Sequence, residues 1–281
     1  MEINKVYQGD CMELIKDIPD SYIDCVITDP PYNVGKNIKN DNLTDAEYLK
    51  FMSQIIKDIY RVCKNNASVY IFCSHKFMSR IDCCLQDSGF NVKNRIIWVK
   101  RSGSRGTKRG YIPEYEPIIY AVKSNKYIFN FDKVRVEYSE SSKNRKDSYN
   151  KKKGYYWKPN PNGKLCPDVW LDIGQLHYAH PERMIVNDDT AIETQKPLKL
   201  IRRIIMASSN EGDIILDPFM GSGTTALACQ QLNRRWVGFE IEPKYVALIN
   251  KRLEQNNLHH FSNTLLSQSA NAESLISVKR E

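Results

Sequence analysis

The sequence predicts an α/β protein built on a doubly wound, mostly parallel sheet of Rossmann type. Three observations support that reading. Short apolar runs alternate with amphipathic helical stretches twice along the chain, first over about residues 22–100 and again after Gln195. A glycine-rich turn follows one of the apolar runs. The 281 residues, 41% of them hydrophobic, suffice for one large domain or one domain carrying a substantial insertion.

In the first stretch, Ile23 to Thr28, Ser68 to Ser74 and Arg95 to Val99 read as buried strands, and Thr44 to Cys63 and His75 to Ser88 as helices. Thr44 with Glu47 three residues on is the signature of a capping box, and Gly89 is placed to stop the second helix. The second stretch predicts helices at 197–208, 224–232 and 243–256, and strands at 213–217 and 236–240. Between the stretches, residues 101–176 break the rhythm with Gly, Ser, Lys, Asn, Pro and Tyr and read as an inserted, partly irregular module. The expected division is therefore 1–100 for the first half of the fold, 101–176 for the insertion, 177–258 for the second half and 259–281 for a flexible tail.

The formal net charge is +8, but residues 100–164 alone hold 17 Lys or Arg against 6 Asp or Glu, so the rest of the chain is slightly acidic. Eleven Tyr, Phe or Trp are interleaved with those cations. A basic, aromatic-rich block on a near-neutral globule points to a polyanion, since neutralising phosphates releases counterions. Arg101, Arg105, Lys108 and Arg109 in a Gly/Ser loop, and Lys151, Lys152 and Lys153 before an aromatic triplet, are the candidate contacts.

No apolar run approaches the roughly 18 residues of a membrane span, and the first residues lack a signal-peptide core, so the reading is a protein of the cytoplasm with no membrane partner. The eight cysteines contain no C-x-x-C pair and mostly sit in apolar runs, as expected of reduced thiols rather than of a zinc site. His177 and His180 have no companion cysteine spacing, His259 and His260 read as an exposed pair near the fraying end, and no metal is expected.

Two constellations carry chemistry. The first strand ends in Asp29, Pro30, Pro31 and Tyr32. Ligands of open α/β sheets sit beyond the carboxyl ends of the strands, where this tetrapeptide falls. The prolines remove two N–H groups and leave carbonyls to accept hydrogen bonds from elsewhere. A carboxylate, a free carbonyl and a flat ring suit an exocyclic amine on an aromatic base. If Asp29 and the Pro30 carbonyl each accept one N–H, the nitrogen lone pair is released from the ring and can attack an electrophile.

The second constellation is the strand ending at Asp217, the turn through Phe219, Gly221 and Gly223, and Glu240 at the end of the next strand. The turn lets a ligand approach the backbone closely, and a carboxylate ~20 residues on typically binds ribose hydroxyls. No Gly-Lys-Ser/Thr follows, and Asp217 would repel phosphate, so an adenosine without phosphates fits better: S-adenosylmethionine.

Together the motifs resemble the amino-directed DNA methyltransferases. The order, catalytic motif first, basic insertion second, then Thr194 to Pro197 and the cofactor loop, is similar to the β group of restriction–modification systems. Phe129 to Asp132, Pro159 to Cys166 and Val169 with Trp170 look like the MboII-type adenine methyltransferases. The resemblance implies that Asp29, Pro30, Pro31 and Tyr32 are catalytic, with Tyr32 stacking on the target base. It implies that Asp10, Cys11, Asp217, Phe219, Gly221, Gly223 and Glu240 bind the cofactor, while Thr194 and Lys196 precede a helix whose positive N-terminus would hold the methionine carboxylate. In many relatives His-Pro directly precedes that motif, whereas here twelve residues separate Pro181 from Thr194.

The implied activity is adenine-N6 methylation of a base flipped out of DNA, with a cognate endonuclease as system partner and a homodimer as a form found among relatives. Cytosine-N4 or RNA adenine methylation would use the same site, and a DNA-binding regulator would keep the fold without the reaction. Cytosine-C5 chemistry needs a cysteine presented after proline, and none of the twelve prolines is followed by Cys.

Overall fold

The computed structural model describes residues 1–36, 38–100, 109–143, 148–150, 154–177, 179–186, 190–191 and 194–256. Its main sheet has eight strands: β1 (Lys5–Gln8), β2 (Ile23–Thr28), β3 (Cys63–Phe72), β4 (Asn91–Val99), β5 (Tyr115–Val122), β6 (Val169–Trp170), β7 (Ile214–Asp217) and β8 (Arg235–Glu240). They lie in the order β1-β8-β7-β2-β3-β5-β4-β6. All neighbours are parallel except where β5 lies antiparallel between β3 and β4. The helices packed on the sheet are α1 (Asp45–Val62), α2 (Met78–Asp87), α3 (Leu198–Ser208), α4 (Thr224–Gln231) and α5 (243–256).

The strands are buried on both faces, so apolar residues fill consecutive positions and their alternation divides them between two cores. Val69 and Ile71 of β3 pack with Tyr48, Met52, Ile55, Ile56 and Ile59 of α1. Tyr70 and Phe72 point the other way, against Leu200, Ile201, Ile204 and Ile205 of α3. Each such aliphatic side chain contributes roughly 1.5–3 kcal/mol by leaving water. The capping box forms as expected: Thr44 Oγ1 accepts from Glu47 N at 3.3 Å and Glu47 Oε2 accepts from Thr44 N at 3.0 Å. At the predicted stop of α2, Gly89 N and Phe90 N close onto the Gln86 and Leu85 carbonyls.

The strands and helices of the two stretches stand where the pattern places them, with ends shifted by a few residues. The 101–176 span needs correction, because β5 and β6 lie inside it and belong to the main sheet, β5 as a central, buried strand and β6 at its edge. Glu116 and Pro117 near its start masked it, since proline cannot donate to a ladder. In the fold, Pro117 supplies only its carbonyl, which accepts from Cys73 N at 3.1 Å.

From β2 the chain winds one way to β3, and from β7 it winds the other way to β8. The β2–β7 boundary is therefore the topological switch point, which opens a crevice at the carboxyl ends of the strands. Among the described residues no helix is long and apolar enough to cross a membrane. The cysteines among them are all free.

Candidate active site

Asp29 leaves the end of β2 and Asp217 the end of the adjacent β7, so both motifs open into one cavity of about 720 Å³ at the switch point. That volume suits a small-molecule ligand. The lining includes Asp10, Cys11, Asp29 to Tyr32, Thr194, Lys196, Asp217, Phe219, Gly221 and Glu240. Gly223 lies just behind the loop, with φ +73° and space for a Cβ only 2.9 Å from the Ile249 side chain. A side chain there would meet both a disfavoured backbone conformation and a clash.

On the β2 side, Asp29 Oδ1 accepts from the Tyr32 hydroxyl at 2.5 Å and Oδ2 from Lys196 Nζ at 2.5 Å. The same hydroxyl lies 2.7 Å from Glu116 Oε1, which is 3.1 Å from Lys196 Nζ, while Lys100 Nζ bonds Glu116 Oε2 at 2.8 Å. Burial pushes the Asp29 carboxyl above its usual range; Lys196 opposes the shift and Glu116 adds to it. Burial would raise Glu116 too, but Lys196 and Lys100 together outweigh it and hold that carboxyl low. Lys196 stays protonated because Asp29 and Glu116 outweigh the cost of its burial. The Tyr48 hydroxyl of α1 engages the Pro31 carbonyl at 2.8 Å. Pro30 thus presents the neighbouring carbonyl, which no described residue engages.

On the other side, Glu240 Oε2 accepts from Gly221 N at 2.7 Å and Oε1 from Glu242 N at 2.9 Å, so the carboxylate ties the loop to β8. Burial raises Glu240. Asp217 is turned inward: it accepts from Phe219 N at 3.1 Å and Thr225 Oγ1 at 2.6 Å, and burial pushes its carboxyl to about 7. Asp10 caps the short helix Cys11–Leu14 through Met12 N and pairs with Lys39 at 2.9 Å. The Cys11 thiol is buried and pushed up to about 12.

This donor set suits an adenosine bearing a cationic amino-acid arm. Glu240 and Asp10 offer acceptors for hydroxyl or amino hydrogens, Phe219 offers a ring face, and the carboxylates disfavour a phosphate chain. Among the described residues no cluster of three or more His, Cys, Asp or Glu could hold a metal ion.

The expected placement of Thr194 and Lys196 is only partly met. Thr194 lines the cavity, but the Lys196 ammonium sits on Asp29 and Glu116. The first amide of α3, Leu198 N–H, already donates to Glu182 Oε2 at 2.9 Å. One amide of that helix end is therefore already taken by a side chain of the protein itself. Of the candidate DNA contacts, Arg109 is exposed, while Arg101, Arg105, Lys108, Lys151, Lys152 and Lys153 lie outside the described residues, as does the 259–281 tail. Sequence reasoning missed Glu116, Lys100 and Tyr48. The only signal for Glu116 was a carboxylate beside an apolar run, which is read correctly only once β5 is known to run antiparallel.

The profile of the DNA methylase family matches residues 23–251. The chain is 36% identical to the Type II methyltransferase M1.MboII of Moraxella bovis over 261 residues, covering 91% of this chain and 98% of that protein. It is 34% identical to the DNA adenine methyltransferase YhdJ of Escherichia coli over 258 residues, with 90% and 83% covered. Among solved structures, the M1.HpyAVI–SAM complex matches with a TM-score of 0.59 and 31% identity, over 89% of this chain and 99% of that one.

Proposed function

The chain belongs to the DNA methylase family, and from that premise we propose that it transfers a methyl group from S-adenosylmethionine to N6 of an adenine flipped out of DNA. The observation that carries this reading is the meeting of Asp29 and Pro30 with Phe219, Gly221 and Glu240 in one cavity. S-adenosylmethionine, when bound, supplies an electrophilic sulfonium methyl. Glu240 and Asp10 would hold its hydroxyl and amino groups, and Phe219 would cover its ring.

Asp29 and the Pro30 carbonyl accept hydrogen bonds from the two N–H groups of the target amine, which frees the nitrogen lone pair. As the N–CH3 bond forms, the S–CH3 bond breaks to release the neutral thioether, Asp29 balances the positive charge on nitrogen, and the surplus proton passes by way of Asp29 to solvent. Tyr32 supplies the stacking face. Holding these groups in place replaces a bimolecular encounter with a positioned one, worth several kcal/mol of barrier. The 101–176 span, apart from β5 and β6, reads the DNA, with Arg109 and its neighbouring cations on the backbone phosphates. The chain then serves as the modification partner of a restriction endonuclease in the cytoplasm, and self-association is part of the same reading.

The test is to incubate the protein with labelled S-adenosylmethionine and unmethylated bacterial DNA, then digest to nucleosides. Label in N6-methyladenine is expected. Label in N4-methylcytosine would overturn the base assignment, and absence of label would overturn the activity.

A further inference from the structure

Because β5 runs against its neighbours, its first residues reach the same edge of the sheet as the carboxyl end of β2. Glu116 is thereby brought, buried, onto the groups that surround Asp29. The Tyr32 hydroxyl has one proton and lies between two carboxylate oxygens, 2.5 Å from Asp29 and 2.7 Å from Glu116. Lys196 is likewise shared, at 2.5 Å and 3.1 Å. Lys100 bonds Glu116 at 2.8 Å. Two carboxylates and two ammonium groups balance in charge, so how the proton and the shared cation divide decides how strong an acceptor Asp29 is. Facing the cluster from the remaining elements are the Cys73 thiol at the end of β3, the Tyr48 hydroxyl of α1 and Asp217 of β7.

We propose that Glu116 is a positioning residue for methyl transfer: it competes with Asp29 for Lys196 and for the Tyr32 proton, leaving the Asp29 carboxylate the stronger acceptor for the target amine. This inference rests on the proposed activity. Without Glu116, Lys196 and Tyr32 would both commit to Asp29, whose oxygens would then be less available. The direct repulsion that raises the Asp29 carboxyl would vanish as well. Removing Lys100 does the reverse: a charged Glu116 with one cation fewer draws harder on Lys196 and on the Tyr32 proton, and Asp29 keeps less of both.

The experiment measures the single-turnover rate of labelled methyl transfer to saturating unmethylated duplex DNA, from about pH 5 to pH 9, for the wild type, Glu116→Gln and Lys100→Gln. Cofactor Kd is measured alongside. Glu116→Gln is expected to slow the plateau rate by about tenfold or more, a fraction of what general acid–base groups contribute. Its acid limb moves to lower pH, with cofactor Kd within about twofold. The acid limb of Lys100→Gln moves to higher pH. Opposite displacements from two near-isosteric changes are not what a loosened fold produces. Limbs that coincide with the wild type, or that move in the same direction, overturn the inference. Should Glu116→Gln fail to fold, an unmoved Lys100→Gln limb overturns it alone. A wild type that labels no DNA base means that the activity itself is misread; an active wild type with unmoved limbs refutes only the role of Glu116.

Discussion

Replacing Lys196 by Met removes a buried ammonium from between two carboxylates. Its side chain is 10% exposed, against 23% for Asp29 and 7% for Glu116. Breaking a buried pair on one side costs about 3–5 kcal/mol, and the residual exposure of Asp29 places this site at the low end, about 3 kcal/mol. For a domain of this size that corresponds to a fall in Tm of roughly 6–12 °C. The pH dependence has a definite sign. The Lys196 pKa is raised in the folded state, so its stabilisation is fully present below 10.5 and is lost only above that, as pH rises through the folded value. The deficit of Lys196→Met is therefore present at neutral pH. It shrinks in acid, where Asp29 and Glu116 take up protons and no longer need a counter-charge. Thermal denaturation at about pH 7.5 and pH 5 reads both effects. Adding Glu116→Gln should cost less than the sum of the single changes, by about 1 kcal/mol, because the two side chains touch. A neutral-pH Tm within about 2 °C of the wild type, or a deficit that grows in acid, would refute the reasoning.

Asp217, pushed by burial to about 7 from its ordinary 3.8, should make the folded protein lose stability as pH rises between those values. Asp217→Asn, which keeps an acceptor for the loop, should flatten that slope in denaturant titrations taken across the same pH window. Glu240→Ala removes the carboxylate that receives Gly221 N–H and faces the cavity. Cofactor Kd measured by calorimetry should rise about 10- to 100-fold, in line with roughly 1.5–3 kcal/mol for hydrogen bonds to a charged group, with DNA affinity retained. Tyr48→Phe should cost about 1 kcal/mol of stability by leaving the Pro31 carbonyl without its donor.

The fold was legible wherever local pattern determines structure. Apolar runs such as Ile23 to Thr28 and Ile214 to Leu216 are buried on both faces, and each is followed by a carboxylate and a proline, as in a strand entering a ligand crevice. Thr44 and Glu47 fixed the start of α1 by a purely local exchange of hydrogen bonds. β5 was not legible, since Glu116 and Pro117 at its start contradict strand propensity and its place in the sheet depends on long-range pairing with β3 and β4. The same fact hid the site chemistry of Glu116. Lys196 was found by its motif, yet its contact with Asp29 spans 167 positions and no spacing encodes it. At the helix end expected to meet a ligand carboxylate, the Leu198 amide is engaged by Glu182, a side chain from a segment without a periodic pattern.

The central claim is that Asp29 acts on the target amine and not on the cofactor, and the direct test is Asp29→Ala assayed for both. Lys196 keeps Glu116 as its partner in that variant, so the fold is retained. Labelled methyl transfer to DNA should fall by at least about 10²–10³-fold, the usual loss on removing a preorganised charge-stabilising group. S-adenosylmethionine Kd should stay within about threefold of the wild type. Transfer that survives the change, or cofactor binding lost in proportion to transfer, would contradict the account.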